Sequence, residues 1–185
     1  MKLNDAEIRQ ALILRLENQA IKPQAIMEEL RVHNGQAIAD VVALYREAHC
    51  YEIKGENDKI ERVSIQGKYY NAAFRKITLV VTQSDLEKAK SITPSFWGIM
   101  VAFVSGDIVK IKHIRKAKIN PLFRKDIAVL TLWKSEMLSI IESNGTKNKN
   151  REYLANLIAA SKKKSELSSN ISQLLLNRHV SLNIK

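Results

Sequence analysis

Charged side chains interrupt two apolar stretches that otherwise have the composition of β-strands. Asp40 lies within residues 38–44, and Glu52 and Lys54 lie within residues 49–54. Because side chains i and i+2 of a strand point to the same face, Glu52 and Lys54 should stand side by side. Two carboxylates and an ammonium gathered on one sheet face are costly unless they are paired or bind something. The pattern therefore predicts a polar cluster with the composition of a divalent-metal site.

The loop between the two stretches decides whether the three charges meet. Residues 45–48 contain no Gly and no Asn-Gly pair, so a two-residue hairpin turn is disfavoured and a longer loop is expected. A hairpin centred on Arg46 places Asp40 opposite Glu52. A hairpin centred on the next residue places Asp40 opposite Lys54 instead. A register shifted by one residue would turn Asp40 to the other face, so the cluster requires an odd-numbered loop or a bulge.

The net charge limits the kinds of partner that the chain is suited to bind. The 185 residues include 30 Lys and Arg against 19 Asp and Glu, which gives a net charge of +11. Such an excess often marks a surface for a polyanion, and nucleic acid is the commonest polyanion. The basic residues are concentrated after residue 108. A solubilising surface explains the same charge equally well.

Other bulk features indicate a cytoplasmic protein that does not enter a membrane. The chain is 45% hydrophobic, which is enough for a substantial core, and no apolar run is long enough to span a bilayer. The N-terminal stretch lacks the apolar segment of a secretory signal. The single cysteine, Cys50, excludes an intramolecular disulfide framework and a cysteine-based zinc site.

Hydrophobic periodicity predicts an α/β (α+β) fold in which helices flank a central mixed sheet. The predicted order is a helix ending near residue 17, a helix at 23–30, strands at 38–44 and 49–54, a helix at 59–74, a strand at 77–81, a helix at 85–91, strands at 97–104 and 108–114, and a helix at 125–142.

The polar stretch 144–150 is the clearest linker in the chain. It predicts a domain at 1–143 and a basic helical C-terminal extension at 144–185. Two amphipathic helices are expected in the extension. They are candidates for docking a protein partner or a second copy of the chain.

Taken together, the motifs resemble the PD-(D/E)XK nuclease superfamily, which has the restriction-endonuclease-like fold. Asp40 matches the first acid of the superfamily motif, and Glu52-Ile53-Lys54 matches its E-x-K element. The resemblance is closer to a small bacterial family within that superfamily, and it covers roughly residues 3–104. The other stretches that carry it are Asn4-Asp5-Ala6-Glu7-Ile8-Arg9, Glu28-Glu29, Tyr51, Gln66, Thr78-Leu79-Val80-Val81, and Pro94 with Trp97-Gly98.

This resemblance implies a metal-dependent nuclease that hydrolyses phosphodiester bonds, with DNA favoured over RNA and Mg²⁺ or Mn²⁺ as the cofactor. The catalytic residues that it implies are Asp40, Glu52, Lys54 and Gln66. The metal ligands that it implies are Asp40, Glu52 and the backbone carbonyl of Ile53, with Glu7 or Glu29 as a further candidate. From spacing alone, a structural ion pair between Glu52 and Lys54 explains the E-x-K element as well.

The helix after the E-x-K element supplies the expected substrate contacts. Gln66 and Tyr70 are four residues apart, so they share a helix face, and they resemble a Q-x-x-x-Y signature of the exonuclease branch. Arg62 lies one turn earlier and is a candidate for contacting phosphate. Arg62 is equally well explained as an ordinary surface arginine. Glu7 is equally well explained as a glutamate that stabilises the first turn of a helix.

A second hypothesis places the chain in a different functional class. It is a nucleic-acid-binding or partner-binding module that keeps the nuclease fold without turnover. This hypothesis depends on the basic C-terminal half and on the helical extension. A salt-dependent affinity without cleavage would distinguish it from the nuclease.

Overall fold

A computed structural model describes residues 3–141 and 145–183. In these ranges the chain forms a six-stranded mixed sheet with helices on both faces, which confirms the predicted α/β (α+β) class. The strands are β1 (Ala25–Val32), β2 (Ala37–Leu44), β3 (Ala48–Ile53), β4 (Lys76–Thr82), β5 (Gly98–Ser105) and β6 (Ile108–Arg115). The helices are α1 (Asp5–Glu17), α2 (Val63–Ala73), α3 (Leu86–Ile92), α4 (Lys125–Val129), α5 (Lys134–Ile140), α6 (Arg151–Ser161) and α7 (Lys164–Asn183).

The strands stand in the sheet in the order of the sequence, from β1 to β6. Three neighbouring pairs are antiparallel, β1 with β2, β2 with β3, and β5 with β6. The two central pairs, β3 with β4 and β4 with β5, are parallel. Parallel neighbours need a crossover, and α2 and α3 provide the two crossovers.

Each face of the sheet is covered by a different set of helices. On one face, α1 buries Ile8, Leu12 and Leu16, which recur every four residues and so form one apolar stripe. These side chains pack in a cluster with Val41, Tyr51 and other side chains of the sheet. The helices α2 to α7 supply apolar side chains to the larger cluster on the other face.

The helix predicted at 23–30 is wrong, because residues 25–32 form strand β1. The stretch is rich in residues that favour helices, but seven of its residues pair with β2, from Ala25 opposite Leu44 to Val32 opposite Ala37. The connecting turn has positive φ at His33, Asn34 and Gly35, a backbone conformation that reverses a hairpin. Tertiary pairing therefore overrides local helix propensity here.

The single helix predicted at 125–142 is divided into α4 and α5. The chain becomes extended at Trp133, whose N–H donates to the Glu136 carboxylate at 2.6 Å to begin the second helix. The carbonyls freed by the break accept hydrogen bonds from distant arginines, those of Leu130 and Leu132 from Arg151. The predicted end of this helix at Glu142 lies outside the described residues.

The C-terminal helices complete the larger cluster, with α6 packed on α4 and α5 and α7 packed on β1, β2 and β3. Leu154 of α6 and Leu175 of α7 are fully buried in the larger cluster. The hydroxyl of Ser172 donates to the carbonyl of Tyr45, at the end of β2, at 2.8 Å. The division into a domain at 1–143 and an extension at 144–185 stays a prediction, as does docking of a partner through the extension.

None of the helices within the described residues combines the length and the apolar character needed to cross a bilayer. The cytoplasmic location stays a prediction.

Candidate functional site

The β2–β3 hairpin brings the three charged residues of the sequence motif together. Its register pairs Val41 with Tyr51 and Leu44 with Ala48, so three residues form the loop. Continuing this register by one position places Asp40 opposite Glu52 on the same face of the sheet. This is the register expected for a hairpin centred on Arg46.

Asp40 is held by the backbone of the neighbouring strand. The N–H of Ile53 donates to Asp40 Oδ2 at 2.7 Å, and the side chain is mostly buried. Burial raises the pKa of the Asp40 carboxyl above its ordinary value, while the hydrogen bond from Ile53 opposes that shift. Asp40 therefore links β2 to the end of β3.

Glu52 and Lys54 form a buried ion pair. Lys54 Nζ donates to Glu52 Oε1 at 2.5 Å, and the Glu52 side chain has no exposed surface. Burial raises the pKa of Glu52 to about 7, with the nearby Asp40 carboxylate adding to the shift and Lys54 opposing it. Glu52 Oε2 has no hydrogen-bond partner among the described residues.

A second cation, Arg9 of α1, reaches the same region. Its guanidinium lies 2.8 Å from Asp5, 3.4 Å from Glu28, 3.6 Å from Glu29 and 3.9 Å from Asp40. Arg9 and Lys54 therefore neutralise these carboxylates from within the chain. We call the set Arg9, Asp40, Glu52 and Lys54 the polar cluster.

Close backbone contact fixes α1 beside the polar cluster. Gly55 follows Lys54 directly, and a Cβ at Gly55 would lie 3.0 Å from both Asp5 N and Leu3 O. The N–H of Glu56 donates to Leu3 O at 3.0 Å. The absence of a side chain at Gly55 thus lets the beginning of α1 approach the end of β3.

The remaining predicted site residues differ in how closely they approach the polar cluster. Tyr70 is buried beside it, where burial and then Glu52 raise the pKa of its phenol, and its hydroxyl donates to Ile38 O at 2.7 Å. Gln66 is half-buried, and Arg62 is exposed. The Glu7 carboxylate accepts the N–H of Asn4 at 2.9 Å, which closes a capping box at the start of α1.

The donors in the polar cluster do not fit a dedicated metal site. Within residues 3–141 and 145–183, no three His, Cys, Asp or Glu side chains are grouped to hold a metal ion. The two central carboxylates already face cations of the chain, Asp40 facing Arg9 and Glu52 facing Lys54. Binding of Mg²⁺ or Mn²⁺ stays a prediction, as do the individual roles assigned to the predicted catalytic, metal-binding and substrate-binding residues.

The basic stretch after residue 108 separates into structural and unpaired cations. Arg115 is half-buried and donates to Trp97 O at 2.7 Å, while Arg124 pairs with Asp126 and Lys125 donates to the carbonyl of Lys162. The others are exposed and form no ion pair with any residue that the structure describes. They are Lys110, Lys112, Lys116 and Lys118, and we call them the edge lysines.

Sequence reasoning missed a cleft beside the edge lysines. It is a cavity of about 700 Å³ on the α1 side of the sheet, lined by residues from Gln19 to Ile119. Its cations, Arg46, Lys76 and Lys116, are far apart in the sequence, so no spacing rule connects them. The available signal was that Arg46 lies in the predicted loop between two strands and Lys76 lies directly before a predicted strand.

Comparison with known proteins gives a family match over almost the whole chain. A family model described as Bacteriophage P4 protein cII matches residues 1–182. The chain is also similar to Protein cII of Enterobacteria phage P4, with 25% identity over 144 residues, which are 77% of this chain and 54% of that protein. The chain thus spans about half the length of this curated relative. No solved structure matches the chain.

These matches overturn the resemblance to the PD-(D/E)XK nuclease superfamily. The matched family includes the whole stretch that carried the resemblance, so the expectations of a nuclease, of a hydrolase and of an enzyme are wrong. The physical reason is that a strand bearing Glu-x-Lys places the two charges side by side whether or not it is catalytic. The structure contains the ion pair that this alternative predicted.

Proposed function

We propose that the chain, which belongs to the Bacteriophage P4 protein cII family, binds nucleic acid without cleaving it. The observation that carries the proposal is the row of unpaired edge lysines on β6 and the segment that follows it. Nucleic-acid affinity arises largely from lysine and arginine contacts with phosphates.

The position of β6 makes its lysines available to a large ligand. β6 is the last strand of the sheet, so its outer edge has no neighbouring strand among the described residues. Val109 and Ile111 pack in the α1-side cluster. The intervening Lys110 and Lys112 therefore project to the opposite face, because side chains alternate along a strand. The cations thus border an open edge of the molecule.

Basic residues outnumber acids around the edge, since the acids that border the stretch are Asp107 and Asp126, and Asp126 is paired with Arg124. Residues 108–125 contain no Asp or Glu. The chain as a whole carries a net charge of +11. A polyanion binding at the edge would release counterions, and its affinity would fall as salt concentration rises. DNA is the first ligand to test, and RNA is the second.

The experiment is fluorescence anisotropy with a short labelled DNA duplex, its single strand and the matching RNA. If the four edge lysines contact phosphates, replacing all of them by Gln should make the slope of log affinity against log salt less negative by about 3 to 4. The matched control replaces Lys59, Lys68, Lys147 and Lys163, which are also exposed, by Gln. Both variants lose four positive charges.

The outcomes distinguish binding at the edge lysines from general electrostatic attraction to a basic protein. An unchanged slope in the control, with a flattened slope in the edge variant, is the expected result. Equal losses in the two variants would assign the affinity to net charge and reject the edge. Binding that does not depend on salt, or nucleic acid that is cut during the assay, would reject the proposed function itself.

A further inference from the structure

We infer that the cleft on the α1 side of the sheet binds a single nucleotide, with the base against the half-buried His49 ring and the phosphate at its basic rim. The inference deepens the proposed function and rests on it where the nucleotide belongs to a nucleic-acid strand. The shared chemistry, a planar heteroaromatic base joined to a phosphate, also occurs in a free mononucleotide.

The cleft is independent of the polar cluster. It lies where β2 ends and where β3 and β4 begin, and the chain after the end of α1 contributes Gln19 and Ile21 to its wall. Tyr51 belongs to the cluster that packs against α1, whereas the neighbouring Cys50 belongs to the cluster on the other face. The cleft and the Glu52–Lys54 pair therefore lie on opposite faces and at opposite ends of β3.

The floor of the cleft is a fixed pair of aromatic rings. The rings of His49 and Tyr51 are stacked, with centroids 4.3 Å apart and planes 19° from parallel. His49 Nε2 lies 2.8 Å from Thr78 Oγ1, a hydrogen bond that fixes the imidazole. Burial, followed by the nearby charges of Lys76 and His113, holds the pKa of His49 below its ordinary value, so the ring is neutral. Each ring covers one face of the other and Tyr51 is 3% exposed, so the half-buried His49 is the ring of this pair that a base entering the cleft can contact.

The rim of the cleft is cationic and its cations are unpaired. Arg46, Lys76 and Lys116 line the cavity, are exposed, and make no ion pair with any residue in the described ranges. The acid of the lining, Glu47, is already neutralised, since both of its oxygens accept hydrogen bonds from Arg75 Nη1 at 2.9 and 2.8 Å. The net positive rim is therefore complementary to a phosphate.

The size of the cleft limits the ligand. A cavity of about 700 Å³ falls within the range of small-molecule sites. It accommodates one nucleotide but not a segment of double helix. Lys116 is both a member of the rim and one of the edge lysines. Because Lys110 and Lys112 project to the other face of the sheet, a bound strand must turn past Lys116 to place an unpaired nucleotide in the cleft.

The first experiment is calorimetric titration of the whole chain with deoxyadenosine monophosphate, ribose 5-phosphate, deoxyadenosine and inorganic phosphate. We expect the nucleotide to bind more tightly than each of its parts, and at least about fivefold more tightly than ribose 5-phosphate, the lower end of the range for base stacking. Inorganic phosphate that binds as tightly as the nucleotide would overturn the inference.

The second experiment uses variants of exposed residues, so that folding is retained. The double variant Arg46→Gln with Lys76→Gln should weaken nucleotide binding by tenfold or more, at about tenfold for each 1.4 kcal/mol lost. The matched control, Lys59→Gln with Lys68→Gln, removes the same charge at exposed positions that do not line the cleft and should bind as the unmodified chain does. Equal affinities in the two double variants would overturn the inference.

The third experiment identifies the source of the nucleotide. A duplex with a single-stranded overhang is compared with the same duplex with blunt ends. Tighter binding of the overhang, lost with Arg46→Gln and Lys76→Gln, assigns the cleft to a strand. Binding of the free nucleotide without any salt-dependent nucleic-acid binding would remove the proposed function and keep the cleft. Salt-dependent binding by the edge lysines, with no effect of the cleft variants in any experiment, would remove the cleft alone.

Discussion

Replacing Lys54 by Met should leave the buried Glu52 carboxylate without its cation. Glu52 has no exposed surface, and its Oε1 accepts a hydrogen bond from Lys54 Nζ at 2.5 Å. Removing one partner of a buried ion pair costs about 3–5 kcal/mol. A domain of ordinary stability has about 5–15 kcal/mol in total, so the expected loss is a large fraction of it.

The loss should depend on pH in a defined direction. Burial raises the pKa of Glu52 from 4.5 to about 7, so between these values the folded chain binds more protons than the unfolded chain. Its contribution to stability therefore decreases as pH rises through this window. Lys54→Met removes a cation that lowers this pKa. At about pH 5.5 the carboxyl is largely neutral with or without Lys54, so the variant should lose much less stability than at about pH 8.5.

The measurement is urea unfolding at both pH values, followed by the fluorescence of the buried Trp97. The control is Lys59→Met, which changes the same residue type at an exposed position and should alter stability little. A loss below about 1 kcal/mol for Lys54→Met at the higher pH would refute the reasoning, because it would place the pair in the range of surface ion pairs. So would an equal loss at the two pH values.

Two further substitutions test the packing that holds the helices and the sheet in place. Arg178→Met removes a buried guanidinium whose Nε donates to Glu136 Oε1 at 2.8 Å. Urea unfolding should show that this variant loses about 3 kcal/mol or more of stability. The control Arg124→Met removes a cation from an exposed ion pair and should lose less than about 1 kcal/mol. Gly98→Ala adds a Cβ that overlaps a threonine hydroxyl of β4 and should lower the free energy of unfolding by about 1–3 kcal/mol. Gly145→Ala, where nothing lies within 4 Å, is its control, and equal effects at the two glycines would contradict the steric argument.

The alternation of side chains was sufficient to predict the β2–β3 hairpin and its charged face. The lack of a Gly or Asn-Gly turn predicted a loop longer than two residues but left two registers open, and the observed loop of three residues fixes Asp40 opposite Glu52. The first helix was predicted as well, from its apolar periodicity, and the structure shows that Asn4 and Glu7 form a capping box at its start. These features depend on residues close together in the sequence.

The features that sequence reasoning missed depend on long-range contacts. Residues 25–30 favour a helix by composition, and only pairing with β2 makes them a strand. The break between α4 and α5 is stabilised by Arg151, which donates to the carbonyls of Leu130 and Leu132, about twenty residues earlier in the sequence. The cleft combines Arg46, Lys76 and Lys116, which no local pattern connects. The family assignment failed because a short motif was compatible with both an ion pair and a catalytic site.

The strand order of the sheet has a consequence for how the chain is made. Every strand pairs with the one synthesised just before it, so the sheet can assemble progressively as the nascent chain emerges. The hydrogen bond from Ser172 to Tyr45, 127 residues apart, shows that α7 covers the β2–β3 hairpin only after the six strands and α1 to α6 have been made. Because translation adds about 5–20 residues per second, one apolar face of the sheet stays exposed for several seconds before α7 is made. During that interval, self-association between nascent chains competes directly with folding.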